Sequence, residues 1–281
     1  MLKFSLIVLS NTINQSIFEM NLDCFTTFIE SAKASEIKYE IILIESNKTN
    51  NWNYDLEHLK VIMPKGKFNF HKFLNIGVDN AEGTFYILSN NDVVFDKNWL
   101  LEILKVSQGN KNILSFSPFD ANANKLSKQA TKNNDYIVGY DIQKHITGWC
   151  LVIHKKVFDD IKQLDERFNF YYADNDYAMM LRKFNIKHAL VTKAFVSHLE
   201  GISVKELKQK KKPIELNSKI PKYVVKENWT WVLENEQMIE GLIQFHNKWG
   251  SRKVIKLKLL IVEFLSKFGL GYFNRYVLLN K

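Results

Sequence analysis

EGTFYILSNNDVVFDKNWL, residues 82–100, passes from an apolar run into the polar triplet Asn90, Asn91 and Asp92 and then into helical spacing over 97–107. Thr84 to Leu88 predicts a buried strand. Upstream, Phe73, Leu74, Ile76, Gly77 and Val78 predict a helix over 70–81, with Gly83 as its stop. An aspartate directly after a buried strand has two readings. It belongs to a capping turn ahead of the next helix, or it offers an oxygen to a divalent cation, with Asn90 orienting it.

The same alternation extends outward from this stretch. Phe4 to Leu9 predicts a strand, residues 14–34 a helix, Tyr39 to Ile44 a strand, Val61 and Ile62 a short strand, and Ile113 to Phe116 another. Strands and helices alternating at this pace predict an α/β fold with a mostly parallel sheet covered on both faces. Ligands of such sheets sit beyond the C-terminal strand ends, here the loops at 10–12, 45–50 and 89–92. Residues 120–135 are polar and read as a surface loop or as a lid over the site. Beyond them the pattern predicts a strand over 148–153, short helices near 155–161 and 174–184, a strand over 187–192 and a terminal segment over 195–199.

The formal charge of +9 is concentrated near the C-terminus. Residues 204–226 hold eight lysines against Glu206 and Glu215, and residues 251–281 hold seven basic residues against Glu263. Residues 223–248 predict one or two helices, and 254–268 are apolar but too short and too charged for a membrane span. The basic tail reads as a solvated face or as a peripheral contact with an anionic membrane. It lacks the exposed aromatics of a nucleic-acid stacking platform, so no nucleic-acid partner is expected. Cys24 and Cys150 are too few for a disulfide framework or a cysteine zinc site. With an N-terminal apolar run too short for a signal peptide, a cytoplasmic protein is expected.

Asp174 and Asp176 follow the aromatic run Phe168, Phe170, Tyr171 and Tyr172. They read as first-turn acids that suit the helix dipole, or one of them as a general base. His198 reads as an ordinary histidine or, with Asp92, as half of a carboxylate and imidazole site for Mn2+ or Mg2+. The first strand runs into SNTINQS, not a glycine-rich loop, and no Walker A pattern occurs. A nucleotide diphosphate bound here would need a metal in place of those glycines.

Four stretches in order resemble the GT-A glycosyltransferases, specifically the family 2 group that uses nucleotide-diphosphate sugars. They are FSLIVLSN near the start, EIILIESNKTN, FNFHKFLNIGVDNAEGTFYILSNNDVVFDKNWL, and the run from GWCLVIHKKVF to AFVSH. The resemblance spans about residues 3–200. It implies a GT-A domain over 1–203, followed by a basic, mainly helical extension over 204–281. It places Ser10 and Asn11 at the start of the nucleotide pocket, Glu45 at the base or ribose, and Asn75 on the helix before the metal strand. Asn90, Asn91 and Asp92 match the Asp-x-Asp motif, and Gly148 and Trp149 the lining of the sugar and acceptor pocket. Asp174 matches the catalytic base, Asp176 the acid two residues later, and His198 a metal ligand.

Three positions depart from that pattern. Asn90 replaces an aspartate, Ala173 replaces a glutamate, and Glu45 is one methylene longer than aspartate. The resemblance implies an inverting, hexosyltransferase-type enzyme using Mn2+ or Mg2+. Its donor would be a nucleotide-diphosphate sugar, UDP-linked by preference, and its acceptor a glycan or lipid-linked hydroxyl. The setting implied is bacterial surface polysaccharide or lipopolysaccharide synthesis, at the inner face of the membrane if the tail attaches there. The rivals are a nucleotidyltransferase, which SNTINQS does not favour, and a relative that binds a sugar nucleotide without turning it over.

Overall fold

The computed structural model describes residues 2–49, 52–122, 124–125, 133–199, 220–226, 229–233 and 235–279. The chain divides into two compact units: residues 1–68, 72–164 and 186–200, and residues 69–71, 165–185 and 201–281.

The first unit is built on a sheet. β1 (Lys3–Ser10), β2 (Lys38–Glu45), β3 (Leu59–Ile62) and β4 (Phe85–Asn90) run parallel in the order β3-β2-β1-β4. α1 (Gln15–Ala34) crosses over from β1 to β2, its first turn capped by the Asn14 side chain accepting from the Ile17 amide at 3.0 Å. α2 (Phe70–Asp79) leads into β4. It lies so close to β1 that a Cβ on Gly77 would fall 2.3 Å from the Ile7 side chain. The helix ends at Asp79, not at Gly83, because the Asn80 amide caps the Ile76 carbonyl at 2.9 Å. Gly83 serves instead a close approach to Ser5, whose Oγ accepts from its N–H at 2.9 Å.

The sheet is mixed: among the described strands most run in the direction of β1 to β4, as the alternation predicts, and three run against them. β5 (Val93–Phe95) and β7 (Tyr136–Val138) run antiparallel to β9 (Lys187–His198), and β8 (Cys150–His154) runs antiparallel to both β4 and β6 (Ile113–Phe119). Periodicity reports burial and carries no strand direction, so this reversal has no trace in composition. β5 and β7 are three residues each, too short for an alternation to register. β9 is one strand of twelve residues where the pattern predicts two pieces. Its first half is buried on both faces, whereas from Lys193 it alternates outward and inward; the change of period mimics a break.

α3 (Trp99–Gly109) packs on β6 and β9, and the core gathers Phe4, Phe25, Phe28, Trp99 and Phe116, all fully buried. α4 (Val157–Ile161) follows β8. Cys24 and Cys150 are free and buried in this core, as the absence of a disulfide framework requires; burial pushes the Cys150 thiol up to about 12.

The second unit is helical. It contains α5 (Ala173–Lys183), the short α6 (Lys222–Lys226) and α7 (Thr230–Leu233), then α8 (Glu236–Trp249), α9 (Arg252–Lys267) and α10 (Asn274–Val277). Its cores pack Phe168, Met179, Phe245 and Trp249 in one cluster and Val224, Val232 and Leu242 in another. Residues 123 and 126–132 of the stretch read as loop or lid, and the lysine-rich 204–219, lie outside the described residues.

Candidate active site

The parallel strands end together, and strand register decides which residues meet there. Ser10 pairs with Glu45, and Leu9 with Asn90. The direction of the strand order changes between β1 and its two neighbours, which is where open α/β sheets leave a crevice. β8 begins at this edge, with the Asn90 N–H donating to the Trp149 carbonyl at 2.8 Å. β9 ends at it, with His198 paired to Val93 and the Leu199 N–H donating to the Asp92 carbonyl at 2.9 Å.

Asp92 and His198, 106 residues apart in sequence, are thereby brought side by side. His198 Nε2 lies 3.2 Å from Asp92 Oδ1. The approach makes no hydrogen bond: Asp92 Oδ1 and both ring nitrogens of His198 are buried with no hydrogen-bond partner among the described residues. Buried polar atoms are normally paired, so an orphaned carboxylate oxygen facing an orphaned imidazole points to an absent partner shared by both. A divalent cation fits, since carboxylate and imidazole together suit Mn2+ or Mg2+. No group of three His, Cys, Asp or Glu side chains able to hold a metal occurs among the described residues. This chain would therefore supply two ligands, leaving the other positions to water and substrate oxygens.

His198 is held through its ring and through its backbone. Trp149 stacks on it with centroids 4.9 Å apart and planes 9° from parallel. Asp120, itself buried, accepts from the His198 backbone N–H at 2.7 Å. Asp120 was not legible as a site residue; it ends the apolar run of β6, much as Asp92 follows that of β4.

The nucleotide-pocket candidates form a buried polar network. The fully buried Glu45 accepts from the Thr12 N–H at 3.1 Å, the Thr12 hydroxyl and the Asn47 N–H at 2.7 Å. Its extra methylene over aspartate spans the gap to Thr12. Asn21 donates to Thr12 Oγ1 at 2.9 Å and to the Tyr54 hydroxyl at 2.6 Å. Asn91 donates to Asn21 Oδ1 at 2.8 Å and to Ser10 Oγ at 3.3 Å. Ser10, Glu45 and Asn91 are thus joined through Thr12 and Asn21, neither of which the motif reading named. Asn11 is exposed beside them, and Asn90 and Gly148 are half-buried. Asn75 bonds both backbone groups of Leu164 at 2.9 Å, which ties α2 to the turn after α4. A Thr12→Val chain should lose about 1–3 kcal/mol of stability, the cost of leaving buried donors and acceptors unmatched; a urea titration reads it directly.

Asp174 and Asp176 belong to the second unit, in the first turn of α5. Tyr172 precedes this helix at φ +65, a left-handed conformation that costs a non-glycine residue roughly 1–2 kcal/mol. Such strain is kept where neighbouring structure enforces it. Here the Tyr171 carbonyl sits where a Cβ on Gly241 would fall, at 2.4 Å, and Asn235 donates to the Tyr171 hydroxyl at 2.9 Å. Dense surroundings push the Asp174 carboxyl above the usual range, against the pull of the Asn175 N–H that donates to it at 2.8 Å. A raised pKa is what a carboxylate needs to accept a proton from a hydroxyl.

Asp176 is fully enclosed and engaged within the unit. Trp249 Nε1 donates to its Oδ1 at 2.7 Å and Lys248 Nζ to its Oδ2 at 2.8 Å, while Lys248 also meets Asp165 Oδ2 at 2.8 Å. The carboxylate that the resemblance aligns with a substrate contact holds the end of α8 against the start of α5. Lys248 and Trp249 could have been suspected from sequence only as an apolar-helix terminus carrying a lysine.

No protein-family profile and no curated protein sequence matches the chain. Solved structures do match. One of GalNAc-T7, with UDP, GalNAc and Mn2+, covers 95% of this chain and 55% of its own length at 14% identity and TM-score 0.55. Residues 1–349 of Staphylococcus aureus TarS cover 68% of this chain and 58% of their own at 13% identity and TM-score 0.52. The chain spans little more than half the length of either. These likenesses establish the fold: an α/β domain of the GT-A type, with a central mixed sheet flanked by helices and helical elements at the C-terminus.

Proposed function

We propose that this chain is a metal-dependent glycosyltransferase that moves a sugar from a nucleotide-diphosphate donor to an acceptor hydroxyl. The observation that carries the reading is the buried, unsatisfied pair Asp92 Oδ1 and His198 Nε2 at the C-terminal edge of the parallel strands. The GT-A fold supports it, because that edge is where such a sheet takes its ligand.

Asp92 and His198 would hold Mn2+ or Mg2+, which when bound neutralises charge on the departing diphosphate. Trp149 and the Asp120 bond to the His198 backbone keep the imidazole facing Asp92. Glu45, Thr12, Asn21, Asn91 and Ser10 set the floor of the nucleotide pocket, with Asn11 and Asn90 beside them. Asp174 takes the proton of the acceptor hydroxyl. That oxygen forms its bond to the anomeric carbon as the bond from that carbon to the diphosphate oxygen breaks, and attack from the opposite face inverts the centre. UDP-sugar as donor, a lipid-linked or surface-glycan acceptor, and membership of the family 2 group complete the proposal.

The test is a binding and transfer screen across nucleotide sugars with and without Mn2+. Metal-dependent binding of one donor, followed by hydrolysis or transfer, is expected; no binding to any member would overturn the reading. Binding without turnover would favour the non-catalytic relative, which Ala173 at the usual glutamate position keeps in view. In the Asp174→Asn chain donor binding should persist while transfer falls about 10²-fold or more. In the parent chain, transfer should decline on acidification as Asp174 protonates, at a pH above the ordinary carboxylate range because its pKa is raised. Unaltered turnover in Asp174→Asn would remove Asp174 from the mechanism.

A further inference from the structure

Helix α9 is apolar on two opposite faces. Ile255 and Val262 are buried, with Leu259 beside them, in the cluster that holds Phe245 and Trp249. With 3.6 residues per turn, Val254, Leu257, Leu260, Ile261, Phe264 and Phe268 fall on the other side, each between 41% and 65% exposed. Single exposed apolar residues are ordinary on a protein surface, but an uninterrupted stripe along four turns is not. The chain after α9 adds exposed Tyr272, Phe273 and Tyr276. Lys256 and Lys267 flank one margin of the stripe and Lys253 stands at its N-terminal end, all exposed, and Glu263 is the one acid in residues 251–281.

The charge pattern selects what covers this face. A second copy meeting it symmetrically would lay the lysine row against itself, with Glu263 alone to answer. Residues 204–219 of the same chain carry six lysines against two glutamates, again the same sign. An anionic lipid surface satisfies both features: the stripe enters the headgroup and acyl boundary while the lysines reach lipid phosphates. Tyr and Phe suit that boundary as well. No helix among the described residues is long and apolar enough to cross a membrane, and the 16 residues of α9 fall short of the roughly 20 a span needs.

We propose that the outward face of α9, continued through residues 268–276, seats this protein in the plane of an anionic membrane surface. The inference does not depend on the transferase reading, and its test involves no sugar transfer.

The full-length protein is sedimented with vesicles of phosphatidylcholine alone and of phosphatidylcholine mixed with phosphatidylglycerol. It should pellet with the mixed vesicles and be released as salt rises from about 0.1 to about 1 M, where the screening length falls from about 10 to about 3 Å. Each of Lys253→Gln, Lys256→Gln and Lys267→Gln should weaken partitioning about five-fold, the ratio corresponding to about 1 kcal/mol per near-surface lysine. Leu257→Ser with Phe264→Ser should abolish it while far-ultraviolet circular dichroism stays unchanged. Should that double variant not fold, the lysine series decides alone. Equal pelleting on both lipids, none on either, or lysine variants that partition like the parent would each overturn the proposal. So would a vesicle-free dimer that the double variant converts to monomer, since a second copy would then cover the stripe.

Discussion

Asp92→Ala should abolish metal-dependent donor binding and lower transfer by about 10³-fold, the several kcal/mol of charge stabilisation that a bound cation supplies. In the proposed site Asp92 would be one of two protein ligands at the strand edge, and its neighbour Asn90 brings no charge. Removing it would leave the His198 imidazole alone under Trp149. Calorimetry with a nucleotide diphosphate and Mn2+, beside a transfer assay, measures both effects. Because Asp92 Oδ1 has no hydrogen-bond partner among the described residues, the substitution should cost the fold little; a melting temperature near that of the parent is part of the expected result. Metal-stimulated binding that survives the change would count against the whole assignment.

Lys248→Met should have the largest effect on stability, about 3–5 kcal/mol, as expected when one partner of a buried ion pair is removed. Lys248 is 2% exposed and answers two carboxylates. Burial pulls Asp165 upward, but Arg167 and Lys248 outweigh it and hold its carboxyl well below the usual range. Asp176 responds the other way: burial dominates and raises it, against Lys248 and Trp249. The sign for Asp165 follows from its depressed value. Its stabilisation is complete above the unfolded carboxylate pKa and fades as pH falls through the folded one. For Asp176 the ionised form is the costly one, so protonation relieves it. Both facts predict that the gap between parent and Lys248→Met is widest near neutral pH and closes on acidification, as carboxyls that no longer carry charge stop needing the lysine. Denaturant midpoints at a series of pH values test this, and a pH-independent gap would indicate lost packing alone.

The parallel half of the sheet was plain in the amino-acid sequence because β1, β2 and β4 are each sealed on both faces and separated by helices of clear period. Asp92 could be singled out for the same reason: a charged residue directly after a sealed strand has few places to go. His198 could be read from its residue type as an ordinary histidine or as a partner of Asp92, and only the ordered resemblance favoured the second, since its local setting, FVSHLE, says nothing about Asp92. Asn75 and Asp176 show the opposite limit. Their positions matched a motif, yet their side chains bond Leu164 in one case and Lys248 with Trp249 in the other. The second face of α9 was visible as apolar positions beside lysines, but which of those positions face outward depends on what packs behind them.

By itself, then, the order of residues determined burial, element type and the strand-end loops, because those follow from the local recurrence of apolar side chains at periods of 2 and 3.6. Strand direction and register were decided only by the tertiary structure. They turn β8 against β4 and β6 while β9 runs with the parallel strands, bring Trp149 and His198 to the edge where Asp92 lies, and close Glu45 onto Thr12. These are contacts across tens to more than a hundred residues. Packing and hydrogen bonding select them among many pairings that share the same local pattern, and no local pattern can carry that choice.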